Sequence, residues 1–535
     1  MNKMILVVLI LCFSGVAQAA ILCESLNGGA PYLSATLAAA ATSNSCRNTS
    51  VVVTSALTAI QSNISSATVH RWPADRALKV EKGGSIANTT AFTIDGPFSA
   101  GGYQVFTGSG RVLFGNGIVD KTIPQWFGTN TTPGVTDMTT AFQKAIDSLP
   151  ANGGQVYVAN GTYLLTTIEF PVQPKTVNLI GESMHSVILK MGTATGPILK
   201  KKEATGVIFG GILSNFTIQA HPSSDKTNLA HQGAFLSGWH HSKFSNIAYQ
   251  SSSNSQSPSG SVGIFLNLPS SPYPSYDNTF EGIEVIGQYG PSQAINLNDT
   301  TGFNNPNRVV VRDSTFYANT GIDVLIQGDV TGMMVSNCLF KSNTGATAVI
   351  MGQTSLIEGN WFEANFRNLA TSTLALVDGS GSTVMNNYMF DGTNHIATID
   401  TKPLWINNSG LGSNSITGYG VTRIDSDGET PAGPPLTGGS GSFTGLYSAA
   451  VSPIYMGRVA YKTAYAYIPT VTGLASFTIG AIPGYVLESC IVTCTRDATG
   501  MPVLVGVNIS ASTISISYTS ADAHTIYMQS VWRRL

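Results

Sequence analysis

The chain has 535 residues with a net charge of −2, and only 10% of them are charged, where an average soluble protein has about 25%. Hydrophobic residues still make up 43%, which supplies a core and excludes intrinsic disorder, whose mark is high net charge with few apolar residues. The near balance of Lys+Arg 27 against Asp+Glu 29 excludes a basic nucleic-acid binder.

In chain order, Lys3, the apolar run 5–13 and Ala17-Gln18-Ala19 predict an export leader cleaved before Ala20. The run is shorter than the roughly 20 residues of a membrane span. The expected product is a soluble secreted protein, extracellular or periplasmic, with neither membrane nor nucleic acid as partner. Cys23 and Cys46 flank a short polar segment and are candidates for a disulfide in an oxidising compartment. Cys338 reads as a small packed residue. No Cys/His set has zinc spacing, and Trp239-His240-His241 reads as exposed polar surface rather than a metal site.

Residues 20–70 are Ala/Ser/Thr-rich and predict a loosely packed N-terminal segment. Short strands follow at 78–80, 92–94, 103–106 and 112–114. One helix is predicted next, with Asp137 as N-cap and Phe142, Ala145, Ile146 and Leu149 on one face. Asn152-Gly153-Gly154 ends it, and Val156-Tyr157-Val158 opens a strand.

A six-residue window then recurs: apolar, any, Asn/Gly/Asp, any, any, apolar. It runs LSNFTI from Leu213, FSNIAY from Phe244, FEGIEV from Phe280, VRDSTF from Val311, VSNCLF from Val335, IEGNWF from Ile357, MNNYMF from Met385 and INNSGL from Ile406. One strand-turn-strand unit every 21 to 36 residues is the mark of a parallel β-helix. The third position turns the corner, where Asn, Asp and Gly tolerate left-handed backbone. Pro431 to Pro435 and Gly438 to Gly441 read as a linker. A Tyr-rich alternating segment beyond them predicts a small antiparallel sandwich. The expected organisation is a leader at 1–19, the N-terminal segment at 20–70, the β-helix at 71–430, the linker at 431–442 and the C-terminal β domain at 443–535.

Phe127-Gly128-Thr129, Gly134-Val135-Thr136-Asp137, Thr140 to Ile146 and Gly153 to Tyr163 resemble the N-terminal signature of the pectate-lyase-like superfamily. Pro124-Gln125-Trp126 looks like the entry to this fold in phage-tailspike-like and secreted proteins. Thr129, Met138 and the loop at 130–133 depart from the signature. The resemblance implies a right-handed parallel β-helix with one N-terminal capping helix; with the alternating C-terminal segment, the expected fold is all-β, a single-stranded right-handed parallel β-helix followed by a small C-terminal β-sandwich-like domain. It also implies cleavage of polysaccharide, with a non-catalytic adhesin or structural protein as the rival class; the C-terminal sandwich adds a tailspike-like homotrimer as a third possibility. The motifs of polygalacturonases and the Asp clusters and arginine segment of pectate lyases are not found. No cofactor is expected for a hydrolase, and Ca²⁺ for a lyase.

Equivalent positions on successive coils stack at about 4.8 Å. Aligning the windows puts Tyr317, Lys341, Glu363 and Asp391 in one column. Glu363 and Asp391 are therefore the expected catalytic pair, since stacked carboxylates push one pKa up and leave one acid protonated beside an ionised partner. Asp378 and Lys341 are secondary candidates. Trp361, Tyr388, Tyr317 and Arg367 are the expected substrate contacts, the aromatics as sugar platforms. Arg312, Ser336, Glu358 and Asn386 form a second, polar column. Gln327, Met351 and Asp378 form a third. The bland alternative for the first column is a surface ladder in which Lys341 balances Glu363.

Overall fold

The computed structural model describes residues 37–54 and 70–221 with short gaps, and strands and corners of successive coils between 234 and 424. A few further strands toward both termini, up to His524–Arg534, are described by backbone alone.

Alternation sets the local structure. Thr176–Gly181 and Val187–Met191 bury every second residue, the period of a strand with one face inside. These strands pair in parallel with their counterparts one coil on, which builds an 18-stranded sheet; a second parallel sheet of eight strands runs from Ile168–Phe170 to Thr373–Val377. In a typical coil, Val310–Arg312 and Thr315–Tyr317 belong to the large sheet, with Asp313 as the bend between them, and Ile322–Leu325 belongs to the second sheet. The chain is a parallel β-helix, as the repeat predicts.

The bends confirm the third window position. Asn215, Asn246, Gly282, Asp313, Asn337 and Gly359 all have φ between 51° and 64°. The residue after the bend points inward: it is large and apolar in the earlier coils, at Phe216, Ile247 and Ile283, and small and polar in the later ones, at Ser314, Cys338, Asn360 and Asn387. Their partners are fixed one coil away. Asn360 Nδ2 donates to Val335 O, and Asn360 Oδ1 accepts from the Cys338 N–H at 2.9 Å. Inside, Phe316, Phe340 and Phe362 stack at 5.0 and 4.9 Å with nearly parallel rings.

Two registers differ from expectation. The ladder pairs Ile357 with Val384 and Glu358 with Met385, so the seventh window begins at Val384 and its bend is Asn386, at φ 54°. The eighth shifts likewise, Val384 pairing with Trp405. Either residue of Asn386-Asn387 suits a bend by composition. The apolar residues on both flanks make both alignments hydrophobically acceptable. In the second sheet Met351 pairs with Val377, one residue before Asp378.

Upstream, part of the segment expected to be loose is packed. Ser50–Val53, Ala77–Val80 and Phe98–Ala100 pair in parallel, as do His70–Trp72, Phe92–Ile94 and Val112–Phe114. Leu37, Ala40, Val51 and Val53 are fully buried in the same core as the coils, and Cys46 is buried and disulfide-bonded. The apolar run Val51-Val52-Val53 outweighs the Ala/Ser/Thr content around it. A short helix, Leu37–Thr42, was not expected. Nor is 103–106 a strand: Val105 and Phe106 both donate to Trp126 O, and Tyr103 Oη donates to Val80 O.

The predicted helix spans Thr139–Ser148 and buries Phe142, Ala145 and Ile146. Met138 occupies the N-cap position, while Asp137 Oδ1 accepts from the Thr139 N–H at 2.8 Å. The helix packs between Val112–Phe114 upstream and Ile168–Phe170 downstream, which joins the two stacks. At the C-terminal end, seven strands from Ile454–Met456 to His524–Arg534 form two antiparallel sheets of four and three strands, the all-β antiparallel character expected there.

Candidate functional site: an outer strip of the large sheet

Two neighbouring columns face outward on the second half of the large sheet, because the intervening Val285, Phe316, Phe340 and Phe362 face in. One column is Ile286, Tyr317, Lys341, Glu363 and Phe390. The other is Glu284, Thr315, Leu339, Trp361 and Tyr388. Ile286 is 41% exposed, Tyr317 40% and Trp361 44%, three of the five large hydrophobic residues exposed among those described. Trp361 and Tyr388 lie against each other with ring centroids 4.2 Å apart. Successive coils therefore present an aromatic and apolar stripe edged by polar groups.

Lys341 Nζ lies 2.9 Å from Glu363 Oε1, and Trp361 Nε1 donates to Glu363 Oε2 at 3.3 Å. The lysine contact, then the indole, holds the Glu363 carboxyl below its ordinary value. Glu363 is thus an ionised carboxylate, suited to act as base or nucleophile and not as proton donor.

The structure brings together Tyr317, Lys341, Glu363, Trp361 and Tyr388 as the sequence predicts. It does not stack Asp391 on Glu363, because the one-residue shift at Val384 puts Phe390 there. The expected carboxylate pair is corrected on this point. Asp391, Asp378, Arg367 and Gln327 lie outside the described residues. In the polar column Met385 replaces Asn386, since Asn386 is the bend. Arg312 is engaged by Glu281 at 2.9 Å, and Lys243 meets the same carboxylate at 3.0 Å. These cations hold the Glu281 carboxyl low. Sequence reasoning missed Ile286, although it directly follows the FEGIEV window and so occupies the position of Tyr317 one coil earlier.

A different corner of the solenoid carries a second group. Gly210, His241, Asp277, Arg308 and Gly332 all have φ between 50° and 71°. Asp277 receives Nε and Nη2 of Arg308, and His241 Nδ1 lies 3.3 Å from its Oδ2. Phe209, 42% exposed, lies against the His241 ring at 4.5 Å. Left-handed backbone costs a residue with a side chain roughly 1–2 kcal/mol, whereas an exposed ion pair contributes about 0–1 kcal/mol. No group of three or more His, Cys, Asp or Glu placed to hold a metal occurs among the described residues.

The solenoid with an exposed aromatic strip defines the class, a parallel β-helix with a long lateral surface. Residues 126–346 match the family model for rhamnogalacturonase A/epimerase, pectate lyase-like, and this shows the resemblance read from the N-terminal signature. No curated protein matches the chain. Among solved structures, the tailspike protein gp49 of Acinetobacter baumannii bacteriophage Fri1, a capsular polysaccharide depolymerase, is similar at 10% identity and a TM-score of 0.36, covering 78% of this chain and 86% of that one. A tailspike mutant of E. coli bacteriophage HK620 in complex with pentasaccharide is similar at 10% identity and 0.37, covering 78% and 94%. The surface adhesin PfbA of Streptococcus pneumoniae is similar at 12% identity and 0.34, covering 57% and 91%.

Proposed function

We propose that the protein holds an extended polysaccharide along the outer strip, the chain axis running across the coils. The observation that carries this is the outward placement of Ile286 and Tyr317 on two successive coils of one column and of Trp361 and Tyr388 on two successive coils of the neighbouring column, with the coil of Leu339 and Lys341 between the two pairs. Aromatic faces take the apolar faces of sugar rings, and the flanking Lys341–Glu363 pair supplies hydrogen-bonding partners for hydroxyls. The name of the matched family points to the same class of ligand.

A second reading adds cleavage, favoured by the ionised state of Glu363. In a glycoside hydrolysis that carboxylate serves as base or nucleophile, and a protonated acid on the far side of the bond completes the reaction. Export, and a trimer through the C-terminal domain, fit a protein working on external glycans and are proposed with it.

The test is a panel of acidic and neutral polysaccharides, read for binding and for new reducing ends. Trp361→Ala is expected to weaken binding of the preferred glycan, and undiminished binding overturns the strip. Reducing ends that disappear in Glu363→Gln support hydrolysis. Unsaturated uronate products exclude it.

A further inference from the structure

We propose that residues 182–186 form a strap that closes the upstream end of the outer strip, so that the strip takes a polysaccharide by one end of the glycan. It rests on the polysaccharide reading above and adds which part of the glycan that site takes. The column that carries Trp361 and Tyr388 continues upstream of Glu284 through Ala248 and Thr217 to Ile188, each paired with its counterpart one coil on. Thr217 lies between the inward Phe216 and Ile218, and Ala248 between Ile247 and Tyr249, so both face outward. They are nevertheless only 4% and 6% exposed. Their cover lies on the outside of the sheet.

That cover is Glu182-Ser183-Met184-His185-Ser186, between the strands Thr176–Gly181 and Val187–Met191. Its feet are tied: the Asn160 N–H donates to Glu182 Oε2 at 2.9 Å, and the Gly161 N–H to Ser186 O at 2.8 Å. Its middle lies on the column, where Thr217 Oγ1 donates to Met184 O at 2.7 Å. Its tip reaches Glu284, with His185 Nε2 3.5 Å from Oε2. The strap thus crosses the coils from Ile188 to Glu284, roughly 14 Å at about 4.8 Å per coil. Side-chain size in the column follows it. The small residues Thr217 and Ala248 let the strap seat against the sheet, and beyond its tip the column grows to Leu339, Trp361 and Tyr388. The neighbouring column passes the strap at Gln250, which is exposed but presents an amide and no ring. A glycan lying on the rings therefore runs into His185 and Glu284. A terminal sugar carries a free hydroxyl where an internal one carries a bridging oxygen. A carboxylate only accepts hydrogen bonds, so Glu284 pairs with the hydroxyl and is left unsatisfied by the bridge.

The experiment is calorimetric titration of the full chain with an oligosaccharide cut from the polysaccharide that binds in the panel. It is used free, with a bulky fluorophore at its reducing end, and with the same fluorophore at its non-reducing end. One cap is expected to abolish binding and the other to leave it unchanged; caps that act alike overturn the strap as an end wall. Glu284→Gln is expected to weaken the free oligosaccharide about tenfold, the loss of a hydrogen bond to a charged group, and unchanged affinity overturns the contact. Ala248→Leu fills the seat under the strap and is expected to let both capped forms bind; a block that persists overturns the strap as its source. Trp361→Ala separates the two readings. If it loses binding while the caps act alike in wild type, the strip stands and the end wall fails. Undiminished binding by Trp361→Ala removes the strip and the end wall with it, as does a panel in which nothing binds.

Discussion

Lys341 and Glu363 occupy the same outward position on consecutive coils, with Nζ and Oε1 2.9 Å apart, and the next residue in that column is Phe390. The column therefore holds one carboxylate with a cation one coil before it, and no second carboxylate at the paired position one coil after it. Lys341→Met is expected to raise the Glu363 pKa toward the ordinary carboxylate value, with a smaller residual lowering from Trp361. Carboxyl-resolved NMR titration measures this, and coincident midpoints in the two proteins would disprove the assignment. The sign follows from linkage: a carboxylate lowered on folding contributes stability above its unfolded pKa, and loses it as pH falls through the folded value. The variant is expected to lose part of that acid-side dependence.

The buried Asn360 is expected to matter more for local stability than any surface pair. Asn360→Ala leaves the Cys338 N–H and the Val335 carbonyl without their side-chain partner, and each unsatisfied buried group costs about 1–3 kcal/mol. A solenoid opens locally, because each coil touches only its neighbours. The expected readout is therefore faster hydrogen exchange at the Cys338 amide, with little change in coils around Thr176–Gly181. Unchanged exchange at Cys338 would refute the ladder's role.

Cys338 is expected to be unreactive in the folded protein. Its Sγ is buried beside Ser336 O, and desolvation pushes the thiol up to about 12. Alkylation by iodoacetamide at neutral pH, followed by site-resolved mass spectrometry, is expected to leave Cys338 unmodified until the protein is denatured. Ready labelling in the native state would contradict the packing.

The repeat was legible because each window combines two signals, an apolar pair pointing in and a residue that tolerates positive φ. Where one residue supplies the second signal, as at Asn337 or Gly359, the register follows. Met385-Asn386-Asn387 offers two adjacent bend residues, and Val384, Met385, Met389 and Phe390 make both frames apolar. Only backbone pairing resolves the choice, and the resulting slip of one residue moves a side chain to the opposite face. That slip is what separated Asp391 from Glu363. The His241–Asp277–Arg308 corner was not legible for another reason. Its members are 36 and 31 residues apart, and only Asp277 is of a type that the corner pattern uses.

The last expectation concerns pH and the junction between the upstream stack and the coils. Lys175 Nζ donates to Leu149 O at 3.0 Å and to Asp147 O at 3.4 Å, at the carbonyl end of the helix Thr139–Ser148. Burial is the main cause that brings its pKa down to about 8 from 10.5; Arg111 and Lys202 lower it further and Asp147 opposes them. Because the folded value lies below the unfolded one, the unfolded chain binds more protons between about 8 and 10.5. The contribution of Lys175 to stability therefore rises with pH across that window and is least favourable below it. Lys175→Met removes the titration, so the stability difference between wild type and variant is expected to shift in favour of wild type as pH increases from 8 to 10. Denaturant unfolding at a series of pH values, followed by a probe in the helix, measures the difference. A wild-type minus variant difference that stays flat over the window would show that the ammonium is solvated in the folded state, contrary to its two carbonyl contacts.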